Sequence, residues 1–134
     1  MANEKTILQD NEITILKEGI GSGVISCGNV LELLSTGKVQ RNSNDGVNVQ
    51  MYVASEQYGL GKGYSDDYAD GDRVEYNILK RGDRALMKTV GTFAIGTYGE
   101  VDAVGSIIPL NTGAPVALAL EAASGTQNTK MEIM

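Results

Sequence analysis

Apolar residues in this chain recur at every second position, and the runs that carry them are short. Val47-Asn48-Val49-Gln50-Met51-Tyr52-Val53 places Val47, Val49, Met51 and Val53 on one face of a strand. Arg73-Val74-Glu75-Tyr76-Asn77-Ile78 does the same, with Val74, Tyr76 and Ile78 inward and charged residues outward. Further strands are expected over Glu12–Lys17, Val30–Leu34, Ala85–Val90, Thr92–Ile95 and Val101–Ile108. Thr129–Met134 alternates with Met131 and Ile133 inward, as a closing strand would.

Turn signals punctuate these runs at short intervals: Gly28-Asn29, Thr36-Gly37, Asn44-Asp45-Gly46, Asp70-Gly71, Arg81-Gly82-Asp83, Asn111-Thr112-Gly113 and Ser124-Gly125. Asp-Gly and Asn-Gly pairs tolerate the positive φ of tight β-turns. Asn29–Leu34 has room for only about two helical turns between its flanking glycines, at 3.6 residues per turn. Ala114–Ala123 fits both a helix and a strand with Val116, Leu118 and Leu120 on one face; the all-β surroundings favour the strand. The expected fold is all-β, a small barrel or sandwich over residues 13–134, preceded by a polar, extended N-terminal arm over residues 1–12.

The chain has 134 residues, which suits one domain. It has no Trp and one Phe, so burial must come from Val, Ile, Leu, Ala and Met, with 17 Gly adding chain entropy to be lost. Such a monomer is expected to gain stability by association. The net charge of −6 and the lack of a basic run argue against nucleic acid as a partner. No apolar run reaches the roughly 18 residues a membrane-spanning helix needs. Met1–Lys5 lacks the basic start and apolar stretch of a signal peptide, so synthesis in a cytoplasm is expected.

Catalytic residues are not expected. The chain has no His, so neither a Cys27 nucleophile nor a neutral-pH acid–base group has its usual partner. With one Cys and no His, no zinc site is expected either, and no cofactor. Asp66, Asp67, Asp70 and Asp72 form the densest carboxylate cluster, but as a calcium loop it fails: Tyr68 holds the third position and Asn77 stands where a bidentate Glu belongs. Whether those four carboxylates bind a cation stays open at this point. Gly61-Lys62 would need Gly at position 56, where Glu56 stands, and a hydroxyl at 63, where Gly63 stands, so it is no phosphate loop. Gly21-x-Gly23 would need Gly at position 26, which is Ser26. Arg81-Gly82-Asp83 is the tripeptide integrins recognise, and it also suits an ordinary turn between two strands. The loop Glu56–Asp72 is the longest break between expected strands, a length usually kept for function or contacts.

Residues Asp67-Tyr68-Ala69-Asp70-Gly71-Asp72-Arg73-Val74 lead into a strand, and Arg81-Gly82-Asp83-Arg84-Ala85-Leu86-Met87 turn into a second one. Together with Val116–Ala122 and Thr129–Ile133, this order resembles the capsid cement, or head decoration, proteins of tailed bacteriophages over about half the chain. The resemblance implies a subunit on the outer surface of a virion that binds the major capsid protein and itself as a homo-oligomer, such as a trimer. The alternative is another phage structural component, a tail or connector protein. On this reading the contacts fall to the arm (Asn3, Glu4, Lys5) and to the loop tyrosines Tyr58, Tyr64 and Tyr68, whose rings bring area at low rotamer cost.

Overall fold

In the computed structural model, which describes residues 6–9, 15–47, 50–57, 63 and 66–134, every regular element among those residues is a strand. They are β1 (Ile7–Gln9), β2 (Ile15–Ile20), β3 (Ile25–Ser26), β4 (Val30–Leu33), β5 (Val39–Arg41), β6 (Tyr52–Ser55) and β7 (Asp67–Tyr68). Then come β8 (Arg73–Ile78), β9 (Arg84–Val90), β10 (Tyr98–Val101), β11 (Ile107–Pro109), β12 (Ala117–Ala119) and β13 (Thr126–Ile133). The all-β expectation holds.

The C-terminal half closes into a five-stranded barrel. Its order is β9-β11-β10-β12-β13, and the long antiparallel pairing of β9 with β13, from Thr126↔Val90 to Glu132↔Arg84, returns the sheet to its first strand. A five-stranded barrel has a narrow bore. Small residues therefore share the interior with larger ones: Ala85, Ala117 and Ala119 stand among Met87, Val101, Ile107 and Met131, all buried in one cluster with Phe93. Polar groups inside are paired, as with the Thr89 and Thr129 hydroxyls at 2.7 Å. β1 lies on the outer part of β9, with Ile7 opposite Ala85.

The N-terminal half curls a second sheet, β2-β8-β6-β4-β5. Cross-strand partners point to the same face, so the registers show that Leu31, Val39, Ala54, Val74 and Tyr76 share its inner side. They form a second core, capped at one end by the short pair β3–β7 through Ile25 and Tyr68. The outer strands β2 and β5 meet at a single bridge, Gly21↔Val39, where the Ser22 N–H donates to the Val39 carbonyl at 2.8 Å.

One pair of strands serves both cores. Val30 and Val53 are opposite each other and belong to the first core, while their neighbours Leu31 and Ala54 belong to the second. Backbone bonds stitch the halves around this wall: Val30 N–H to Gly105 C=O at 2.8 Å, Gly46 N–H to Val101 C=O at 2.7 Å, and Lys88 N–H to Gly28 C=O at 3.0 Å. Gly28 has φ +90°, and a Cβ there would lie 2.7 Å from the Leu86 carbonyl oxygen, so only glycine lets this turn lie against β9.

Several expected strands need redrawing. Arg73–Ile78 is β8 as read, and Ala114–Ala123 contains strand β12 rather than a helix. Val101–Ile108 is not one strand but the end of β10, a turn and the start of β11: the Asp102 carboxylate accepts from the Val104 and Ser106 N–H groups at 2.9 and 2.8 Å and folds the chain back. Thr92–Ile95 keeps only the Phe93–Ala123 bridge. The Val47–Val53 run pairs only from Tyr52, although Val47, Met51 and Val53 all contact the first core; Asn48 and Val49 lie outside the described residues. Of the expected arm, residues 1–5 and 10–12 lie outside the described residues, and Ile7–Gln9 form β1.

Gly28→Ala and Gly37→Ala separate backbone strain from packing. Both glycines have positive φ, but a Cβ on Gly37 meets nothing within 4 Å. Gly37→Ala is expected to cost about 1 kcal/mol, and Gly28→Ala about 1–3 kcal/mol more from overpacking against β9. Urea unfolding of the two variants measures both; equal losses would contradict the close docking of the Gly28 turn.

Candidate functional site

Asn3, Glu4, Lys5, Tyr58 and Tyr64 lie outside the described residues. Tyr68 was expected at an interface and is instead fully buried within the subunit. Its ring plugs the second barrel, and its hydroxyl donates to the Ser55 carbonyl at 2.6 Å. An Asp- and Gly-rich neighbourhood reads as exposed loop, but a tyrosine there can still turn inward when its O–H finds a partner. Burial pushes the Tyr68 phenol up from its ordinary range.

The four aspartates of the loop each serve a separate local bond. Asp66 accepts from the Gly63 N–H at 2.8 Å, Asp67 from the Ser26 hydroxyl at 2.7 Å, Asp70 from the Gly23 N–H at 2.7 Å, and Asp72 from the Ala69 N–H at 2.8 Å. The Asp67 and Asp70 bonds tie the β7 region to β3 and the turn before it, while those of Asp66 and Asp72 close turns within their own segment. Among the described residues no three His, Cys, Asp or Glu side chains converge as a metal site would require.

Asp83 closes the integrin reading of Arg81-Gly82-Asp83. Its carboxylate is fully buried and accepts from the Lys80 N–H at 2.7 Å, fixing the turn between β8 and β9, where no receptor can reach it. Glu100 does comparable work at the seam between the halves. It is buried and accepts from the Asn111 and Gly113 N–H groups, holding that loop over Gly46. The sequence marked the turn at Arg81-Gly82-Asp83 but not the burial of its carboxylate, and it carried no sign of the Glu100 role.

Cys27 is buried at the Gly28 turn, its thiol 3.7 Å from the Gly63 carbonyl oxygen. Burial, with the nearby Glu56 carboxylate second, pushes its pKa up to about 12, so the inert thiol rather than the nucleophilic thiolate is present at neutral pH.

A carboxylate trio lies across three neighbouring strands: Glu18 on β2 opposite Glu75 on β8, and Glu56 just after β6. Glu18 is engaged by Arg73 at 3.7 Å and by the Gln57 amide at 3.0 Å. Glu56 accepts from the Thr6 N–H and hydroxyl at 3.1 and 2.9 Å, which latches the start of β1 to the second sheet. Glu75 is left with the electrostatic cost. Burial first, then repulsion from Glu18 and Glu56, raises its pKa above the usual carboxylate range.

The exposed apolar side chains are the remaining surface feature. Ile15, Leu16 and Leu33 stand at the open end of the second barrel, away from the Ile25–Tyr68 cap. Tyr98 and Met134 flank a shallow groove on the first barrel with Pro115, Leu118 and Arg81.

The raised Glu75 pKa has a definite sign for stability. The fold favours the protonated form, so its contribution is full below the ordinary carboxylate range and is lost as pH rises through the raised value. Glu75→Gln is therefore expected to raise the melting midpoint at pH 7 by roughly 1–3 °C and to leave it unchanged near pH 3. A lowered midpoint at pH 7 would contradict the repulsive trio.

No protein-family model matches the chain, and no curated protein does. Among solved structures it is similar to the N base of head fiber gp8.5 in bacteriophage phi29, with a TM-score of 0.65 and 10% sequence identity. The similarity covers 91% of this chain and 95% of that one. At this identity the shared property is the fold.

Proposed function

We propose that this protein is a structural component of a bacteriophage virion, a non-catalytic subunit that binds the major capsid protein on the outer surface of the shell and stabilises it as a homo-oligomer. The observation that carries the reading is the likeness to a phage head fiber base over nearly the whole of both chains. It is joined by an independent one, the resemblance of residues 67–87 to phage cement proteins. In the structure that segment is the Asp70-Gly71 turn leading into β8 and the Arg81–Asp83 turn leading into β9, the junction between the two barrels.

The architecture suits such work. A closed barrel and a curled second sheet share one wall of strands. What the subunit presents to a shell is a set of exposed apolar patches and turns, with the polar groups of its interior already paired. A subunit that binds the assembled shell and not its separated parts stabilises the shell by mass action, about 2.7 kcal/mol per site at a free concentration a hundred times Kd. Copies arrayed by shell symmetry multiply weak contacts through avidity.

Expanded phage shells prepared without this protein test the proposal. Purified protein is expected to co-sediment with them to saturation and to raise their melting temperature in calorimetry. Absence of binding to the shells of its own phage would overturn it.

A further inference from the structure

The second barrel is not closed all the way round. β2 pairs with β8 along one edge, and among the described residues its other edge meets β5 only at the Gly21–Val39 bridge. Over Ile15–Glu18 no strand among the described residues pairs with that edge, which makes it a template for another strand. The registers fix what lies beside it. Ile15 is opposite Ile78, Ile78 is opposite Tyr52, and Tyr52 is opposite Leu31, so one apolar row crosses four strands on the inner face. Leu33, two residues beyond Leu31, continues it. Leu31 is buried, but at the rim Ile15 is 55% and Leu33 59% exposed, and Tyr52 and Ile78 are half-buried.

Charge selects the occupant. Lys17 stands on the same face of β2 as Ile15 and has no ion pair among the described residues, while Glu18 on the opposite face is held by Arg73. The β2 edge of a second copy does not answer it. Two-fold antiparallel pairing of β2 with itself sets Lys17 against Lys17 when centred there and Glu18 against Glu18 when centred one residue on. Centred on Leu16, it sets Lys17 against Ile15. No such register gives Lys17 a carboxylate, and like charges directly opposite are destabilising.

We propose that this seam is a receptor for an extended segment of a different polypeptide. The segment adds to the free edge of β2, turns alternate apolar side chains toward Ile15, Leu33 and Tyr52, and sets a carboxylate opposite Lys17. That the segment belongs to a shell protein rests on the function proposed above; the seam itself does not.

The test uses the full chain and a set of labelled octapeptides in which Thr alternates with inward Val, Leu or Phe, with one inward position Asp, Asn or Lys. Fluorescence anisotropy is expected to show binding, with Asp preferred over Asn by about two- to five-fold. Hydrogen exchange is expected to show new protection at the β2 amides. Ile15→Asp and Leu33→Asp should weaken binding about tenfold or more in variants that still unfold cooperatively in urea, and Lys17→Glu should move the preference from Asp to Lys. No binding by any peptide, or binding indifferent to Ile15→Asp and Leu33→Asp, overturns the proposal. So does self-association in sedimentation that Ile15→Asp abolishes, because a second copy would then fill the seam. The peptide experiment contains no capsid, so its failure leaves the functional reading standing, and failure of capsid binding leaves the seam standing.

Discussion

Burial of the β4–β6 wall on both faces is the constraint from which the rest of the molecule follows. Val30 and Val53 face the first barrel, while Leu31 and Ala54 face the second, so adjacent residues on the same strand answer to different cores. Each fully buried side chain of the valine or leucine size contributes about 1.5–3 kcal/mol. A shift of the wall by one residue would reverse every one of them. Neither barrel can change the position of this pair without the other, which makes two small cores behave as one body.

Polar groups hold the halves in register where the wall ends. The buried Asn42 amide donates to the carbonyls of Asn44 and Asp102, and the Asn128 amide reaches the Cys27 carbonyl at 3.1 Å. The buried carboxylates of Asp83 and Glu100 gather backbone N–H groups at two of the turns. No buried side-chain nitrogen or oxygen among the described residues lacks a partner. Inside a low-dielectric interior, satisfied networks of this kind specify one arrangement and penalise alternatives.

What the sequence disclosed follows from where water lies. β8 and β13 alternate because one face of each is solvated or polar, and both were legible with their inward residues: Val74 and Tyr76, Met131 and Ile133. The wall strands do not alternate, since Val30-Leu31 and Val53-Ala54 are buried on both sides; a run of that kind shows a strand but not that it serves two cores. The barrel or sandwich expectation holds, but which strands close the barrel was not readable. Closure depends on β9 meeting β13 and on the parallel contact of β11 with β9, pairings set by distant segments rather than by local pattern. Tyr68 was misread because it sits among turn residues that usually face solvent and turns inward to donate to the Ser55 carbonyl, whereas Arg81-Gly82-Asp83 is the turn its sequence indicated, with the burial of the Asp83 carboxylate added. The open seam beside β2 carries no motif at all, because an unpaired edge is a property of topology.

Native-state hydrogen exchange across a denaturant series tests the shared wall most directly. The account predicts that the amides of β4 and β6 exchange only through global unfolding, and that the protected amides of β8 in one barrel and β13 in the other converge on that same free energy. Release of the β8 amides through a separate opening well below the global value, with β9 and β13 still protected, would contradict it and make the barrels two independent units.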